Sequence, residues 1–252
     1  MIKSMVAIAS TTLLSWIRDK TFYAIVLIGG LVVLCSLFLN EMIVGEKVKV
    51  INDLGLSVTL LFGVFMTLFT TIPANQDKTL YMVLSRPIAR YYWILGNYLG
   101  NSLILLINTL TLSLLMLTLV KISGFDWNPD MNWALLLIYM ETLIILAVST
   151  CFSTLMTSVT LSRFCTLSVF VVGHLLETVK ILMEANNNVF LKNLFQGMYY
   201  LFPNFAAFDI KTEAVHHLPV DSGHLFYAVA YGIAYIIILL IVSAWRFSRT
   251  DV

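Results

Sequence analysis

Long stretches of this chain carry no charged residue at all, among them Phe22 to Leu39 and Leu54 to Ala74. Each approaches the roughly 20 apolar residues that a helix needs to cross the hydrocarbon of a bilayer. The whole chain leans the same way, with 60% hydrophobic residues, 12% charged residues and a mean hydropathy of +0.91. A soluble domain averages about 25% charged residues, so that class is excluded. The expected fold is an all-α integral membrane protein, one transmembrane domain over 1–252 with six transmembrane helices. The spans are expected at about 22–39, 54–74, 93–120, 133–156, 159–183 and 224–246. The third to fifth are longer than crossing requires, which implies tilt or helix projecting beyond the lipid.

Segment 1–20 reads differently. Ile2, Met5, Val6, Ala9, Leu13, Trp16 and Ile17 recur at helical spacing with Ser, Thr, Arg18 and Asp19 between them, the pattern of an amphipathic helix lying in the membrane interface. Orientation follows from the basic residues. With the N-terminus cytoplasmic, the inside segments hold Lys3, Arg18, Lys20, Lys78, Arg86, Arg90, Arg163, Arg246 and Arg249, nine of the fifteen and all six arginines. The positive-inside rule therefore favours both termini in the cytoplasm and a multi-pass protein of the inner membrane. A net charge of +1 gives no field to attract nucleic acid, which is not an expected partner. Cys35, Cys151 and Cys165 all lie in apolar runs, where they act as small hydrophobes.

Two connections stand out. The outer segment 184–223 carries Phe190, Phe195, Tyr199, Tyr200, Phe202, Phe205 and Phe208, more rings than a solvated loop needs. Short helices that re-enter or lie on the outer face are expected, with Pro203 and Asn204 as a turn. Inside, segment 75–92 reads NQDKTLYMVLSRPIARYY. Thr79 to Leu84 suits about a turn and a half of helix, ended by Pro87.

This segment carries a resemblance. Leu84, Ser85, Arg86, Pro87, Arg90 and Gly96 match, position by position, the connection between the second and third spans of type-2 ABC exporter permeases, particularly the group associated with multicopper-enzyme maturation. The run Phe202-Pro-Asn-Phe-x-x-Phe-Asp-Ile-Lys211 resembles the outer segment before that family's last span, and Trp245 to Val252 resembles its closing aromatic and Arg pattern more loosely. Asn97 stands where many relatives carry a basic residue and Gln76 near where many carry Glu. The resemblance implies a homo- or heterodimer of six-span permeases bound to two cytoplasmic ABC ATPase subunits. It implies a coupling helix with Asp77, Lys78, Leu80, Tyr81 and Leu84 receiving motion from the ATPase, supported by Arg86 and Arg90. The amphipathic segment would be the connecting helix, and the outer segment would close the exit.

The residues themselves add constraints. No Gly-Lys dipeptide occurs, so the phosphate-binding pattern G-x-x-x-x-G-K-[ST] is absent. No cofactor is expected in this chain; ATP and Mg would sit on the partner ATPase, and the chain is not expected to be an enzyme. Asn108, Glu141, His174 and Glu177 fall inside spans, where polar groups are costly and mark candidate sites. Glu141 and His174 both come out about 12 to 14 Å deep from the outer side, close enough to meet, either as a polar patch on a substrate path, as a proton-linked switch or as a buried pair pinning two helices. Glu177 is three residues from Lys180 and reads as a structural pair. Gly96-x-x-x-Gly100 allows close helix approach. His216 and His217, with Glu213, Asp221 and His224, lack the spacing of a metal site, and no metal is expected. An intramembrane protease is disfavoured by the missing Gly-x-Ser-Gly motif and paired aspartates. The expected function is outward movement of a substrate driven by a separate ATPase. Two alternatives stand beside it: an ATP-driven assembly complex of the cell envelope that exerts force on a periplasmic or other outer partner, and a secondary carrier built on Glu141.

Overall fold

The computed structural model describes residues 2–42, 47–71, 90–125, 127–185, 202–216, 218 and 221–249, with positions 193, 196, 197 and 199. Regular structure among the described residues is entirely helical, as lipid demands of any chain that crosses it outside a barrel. Helix α1 is Ile2–Ile17, α2 Lys20–Met42, α3 Lys47–Thr70, α4 Arg90–Ile122, α5 Asp130–Leu155 and α6 Val159–Ala185. A 3-10 turn at Phe205–Phe208, the short α7 at Lys211–His216 and the long α8 at Ser222–Ser248 complete the order. Five of these helices are long and apolar enough to cross a membrane, and α1 with α2 makes up to six if that pair, bent by 63°, is one span.

The helices exceed the expected spans at most ends. Helix α5 stops at Leu155, one residue short, and the second span begins earlier than expected, at Lys47, with its helix closing at Thr70. At that end the hydroxyls of Thr67, Thr70 and Thr71 bond back onto the carbonyls of Val64 and Thr67. Helix α4 closes on Gly124, whose φ of +81° only glycine adopts without strain, with Phe125 N–H bonded back to Val120 O at 3.2 Å.

Helix α5 is the centre of the bundle: 67% of its apolar window is buried, against 11% for α8, which leaves Phe226, Ile238 and Ile241 facing outward. The ends of α1, α4 and α8 meet in a cluster of Ile8, Trp93, Ile94 and Phe247, with the Trp93 and Phe247 rings stacked at 5.4 Å. That places the start of the chain and its last helix at one end of the bundle, here called the termini end. The 3-10 turn and α7 close the opposite, loop end, where Asn128 Nδ2 donates to Ala214 O at 2.8 Å.

Lipid tails are as apolar as leucine, so helices in a bilayer associate through close packing and hydrogen bonds rather than by escaping water. Gly96 and Gly100 show this. A Cβ at Gly96 would lie 2.8 Å from Ile8 Cβ and 3.0 Å from Met5 O; one at Gly100 would lie 2.7 Å from Thr12 Cβ and 2.9 Å from Ala9 O. The glycine pair is thus the groove that seats α1, and α1 is docked on a span as well as amphipathic. Across the core, Tyr98 Oη donates to Leu143 O at 3.1 Å and Tyr139 Oη to Ser102 O at 3.2 Å, tying α4 to α5 twice.

Candidate functional site

Glu141 lies on α5 and His174 on α6, each eleven residues from its helix end at the loop end, or about 16 Å down at 1.5 Å per residue. Equal depth on adjacent antiparallel helices brings them together: His174 Nε2 is 3.3 Å from Glu141 Oε1. The carboxylate is buried, with 2% of its side chain exposed, while the imidazole keeps 31%. The approach has the distance of an ion pair without the alignment of a hydrogen bond, and Oε1 has no other partner among the described residues.

Nδ1 is 3.3 Å from Phe170 O, and a carbonyl can only accept, so in the tautomer that makes this bond Nδ1 carries the hydrogen and Nε2 faces Glu141.

Above the pair sits an aromatic plug. The His174 ring lies 4.6 Å from Phe170 and 5.4 Å from Phe205, centroid to centroid. Phe205 and Phe208 are both fully buried, although they belong to a connecting segment. Asn204 makes the local fold: its Oδ1 accepts from Ala206 N–H at 3.1 Å, capping the turn, and its own N–H donates to Tyr231 Oη at 3.1 Å, anchoring it to α8. Gly173 makes the seat, because a Cβ there would fall 2.4 Å from Phe205 Cδ2 and 2.7 Å from Pro203 O. On the far side, Phe208 packs against Gly232 and Tyr231 of α8. Of the outer segment, the described residues after Pro203 and Asn204 form a 3-10 turn at Phe205–Phe208 and the short α7.

The other polar candidates separate from the pair. Asn108, in the middle of α4, is fully buried, and neither amide atom finds a partner among the described residues. Glu177 lies on α6, and its side chain, with the expected pairing to Lys180, falls outside the described set. Asp77, Lys78, Leu80, Tyr81, Leu84 and Arg86 fall outside the described residues; Arg90 opens α4, with its side chain outside the described set. No three His, Cys, Asp or Glu side chains among the described residues are placed to hold a metal ion. His224 instead approaches Ala207 O at 3.0 Å.

Two features escaped the sequence reading. At the termini end Thr71 and Ser149 hydroxyls bond to each other between α3 and α5, and the Arg163 guanidinium rests 5.0 Å over the Phe69 ring with its Nε buried and without a hydrogen-bond partner. On α8, Tyr227, Tyr231 and Tyr235 line one face; their spacing of four was the available signal. Compared with known proteins, the chain matches no family model and no curated protein.

Proposed function

We propose that this chain is the membrane subunit of an ATP-driven type-2 ABC exporter, set in the inner membrane with the termini end in the cytoplasm. The observation that supports the reading is the order of parts. An amphipathic helix bent 63° from the next helix is followed by long apolar helices, and a short-helix plug precedes the last one. That order agrees with what the sequence resemblance implies for a connecting helix, a series of spans and an exit-closing outer segment. In this reading two ATPase subunits and a second permease copy complete the complex, and nucleotide and Mg belong to the ATPase. ATP binding draws the ATPases together, segment 75–92 receives the push, and the bundle rearranges beneath the plug. Replacing Leu80 and Leu84 by Asp tests it: ATPase activity in the complex should uncouple from the membrane subunit, and an intact complex with unchanged activity would sink the assignment.

One observation favours a second reading. A carboxylate and an imidazole 3.3 Å apart inside a bundle suit a proton-linked carrier. Transport in vesicles free of any ATPase, abolished by Glu141→Gln, would select it. Co-purification of an outer protein, with no ATP-dependent flux, would select the force-transmitting alternative.

A further inference from the structure

At the loop end, the plug and α8 enclose a cavity of about 310 Å3 lined by Tyr199, Phe202, Asn204, Tyr227, Tyr231 and Tyr235, with Ala207. That is the lower end of the size range of small-ligand sites. Three of its rings form a ladder, Tyr227 to Tyr231 at 6.4 Å and nearly parallel, then Tyr231 to Tyr235 at 6.0 Å. Among the described residues no acid or base lines it. We propose that this cavity binds the quaternary ammonium headgroup of a phosphocholine-type lipid.

Aromatic faces carry negative potential and attract a cation, and a cage of rings is the recognised way to hold a trimethylammonium group. The lining selects among cations. A primary ammonium brings three N–H donors that would have to share the tyrosine hydroxyls with Ala207 O, which His224 Nε2 approaches at 3.0 Å, and with Asn204 Oδ1, which accepts from Ala206 N–H. A trimethylammonium group has no N–H to satisfy. A second contact is available for the phosphate. Tyr231 Oη accepts from Asn204 N–H, so its own proton is left to donate, and a phosphate oxygen one linker away from the ammonium is a strong acceptor.

Depth points to a lipid as the source. Helix α8 has 27 residues, about 40 Å, against about 30 Å of hydrocarbon, and Tyr227 is five residues from its start, which puts it at the boundary between headgroups and chains. The volume suits a headgroup and not a whole lipid. The acyl chains would lie along the outward face of α8, where Phe226, Ile233 and Ile237 are exposed.

The test uses the full chain purified in a maltoside detergent, which brings no choline, with radiolabelled lysophosphatidylcholine as probe. Saturable binding is expected, with lysophosphatidylglycerol and lysophosphatidylethanolamine at least about tenfold weaker as competitors. Tyr227 is 64% exposed, so Tyr227→Leu leaves the fold intact; it should weaken binding about five- to tenfold, while Tyr227→Phe stays within about twofold. Tyr231→Phe should weaken lysophosphatidylcholine about threefold and leave dodecyltrimethylammonium, which has no phosphate, unchanged. Equal competition by the glycerol lipid, or wild-type affinity in Tyr227→Leu, overturns the site. Free choline competing as well as the lysolipid overturns the lipid as its source. None of these measurements involves an ATPase, so they fail or succeed independently of the export reading.

Discussion

Gly173→Ala should unseat the plug. The added methyl carbon would stand 2.4 Å from Phe205 Cδ2 and 2.7 Å from both Phe205 Cε2 and Pro203 O, where carbon contacts settle at about 3.5 to 4.0 Å. The ring cannot simply turn away, since Phe205 is fully buried with Phe170 and His174 against it. Pro203 O is backbone, and the next residue is tied by its N–H to Tyr231. Either the segment lifts or α6 shifts. Overpacking of this kind costs about 1 to 3 kcal/mol. At 1.4 kcal/mol per tenfold, the open population of the plug rises about 5- to 150-fold. The assay is thiol labelling of Ala214→Cys, a fully buried position on α7, in a chain whose Cys35, Cys151 and Cys165 are replaced by Ser. The labelling rate of purified protein reports opening and should rise by the same factor. Adding Phe205→Leu removes part of the clash, so the two changes together should cost less than their sum by about 1 kcal/mol. Wild-type labelling in Gly173→Ala would refute the seat.

Three further outcomes follow from packing, burial and charge. Gly100→Ala drives a methyl to 2.7 Å from Thr12 Cβ and 2.9 Å from Ala9 O, so α1 should detach and trypsin should cut at Arg18 and Lys20 faster, while α4 to α8 stay protected. His174→Leu should destabilise by about 3 kcal/mol or more in thermal unfolding, because it strands the buried Glu141 carboxylate; Glu141→Leu should cost less, because the 31% exposed imidazole can turn to water, and the double apolar variant should recover most of the loss. A harmless His174→Leu refutes that ordering. Asp19 accepts the Thr21 N–H at 2.8 Å at the α1–α2 bend, and that bond holds its carboxyl below the usual carboxylate range. A lowered folded value means a contribution fully present above about pH 3.9 and lost as pH falls through the folded value. Asp19→Asn, which still caps the helix, should therefore match the wild type near neutrality to within a few tenths of a kcal/mol and lose this acid dependence.

The helices were legible because uncharged runs of about 20 residues admit few other structures, and the meeting of Glu141 with His174 was legible because depth along a helix is simple arithmetic. The seat of the plug was not. Gly173 looks like any glycine in an apolar helix until Phe205, thirty-two residues later, is laid against it. The docking of α1 was half visible: Gly96 and Gly100 announced a close contact, but nothing in their spacing said that Ile8 and Thr12 would fill it. The hydroxyl bond between Thr71 and Ser149 joins residues far apart in the chain whose types are common in any span. Pairings of this kind depend on helix rotation, which the sequence constrains only through an apolar pattern that lipid and core share.

That shared apolarity makes the unmet polar groups the informative ones. Where a helix pair needs a hydrogen bond, this bundle supplies it: Tyr98 to Leu143 O, Tyr139 to Ser102 O and Asn128 to Ala214 O are all made. Asn108, Thr109 Oγ1 and Glu141 Oε1 are buried with none among the described residues. A buried group left unsatisfied costs about 1 to 3 kcal/mol, so evenly apolar residues at these positions would make a more stable closed bundle. Asn108 lies fourteen residues from the loop end of α4 and Glu141 eleven from that of α5, about 21 and 16 Å down. Phe205 packs on the His174 ring at 5.4 Å, so the plug and the Glu141 pair belong to one contact network, and a change in either is felt by the other.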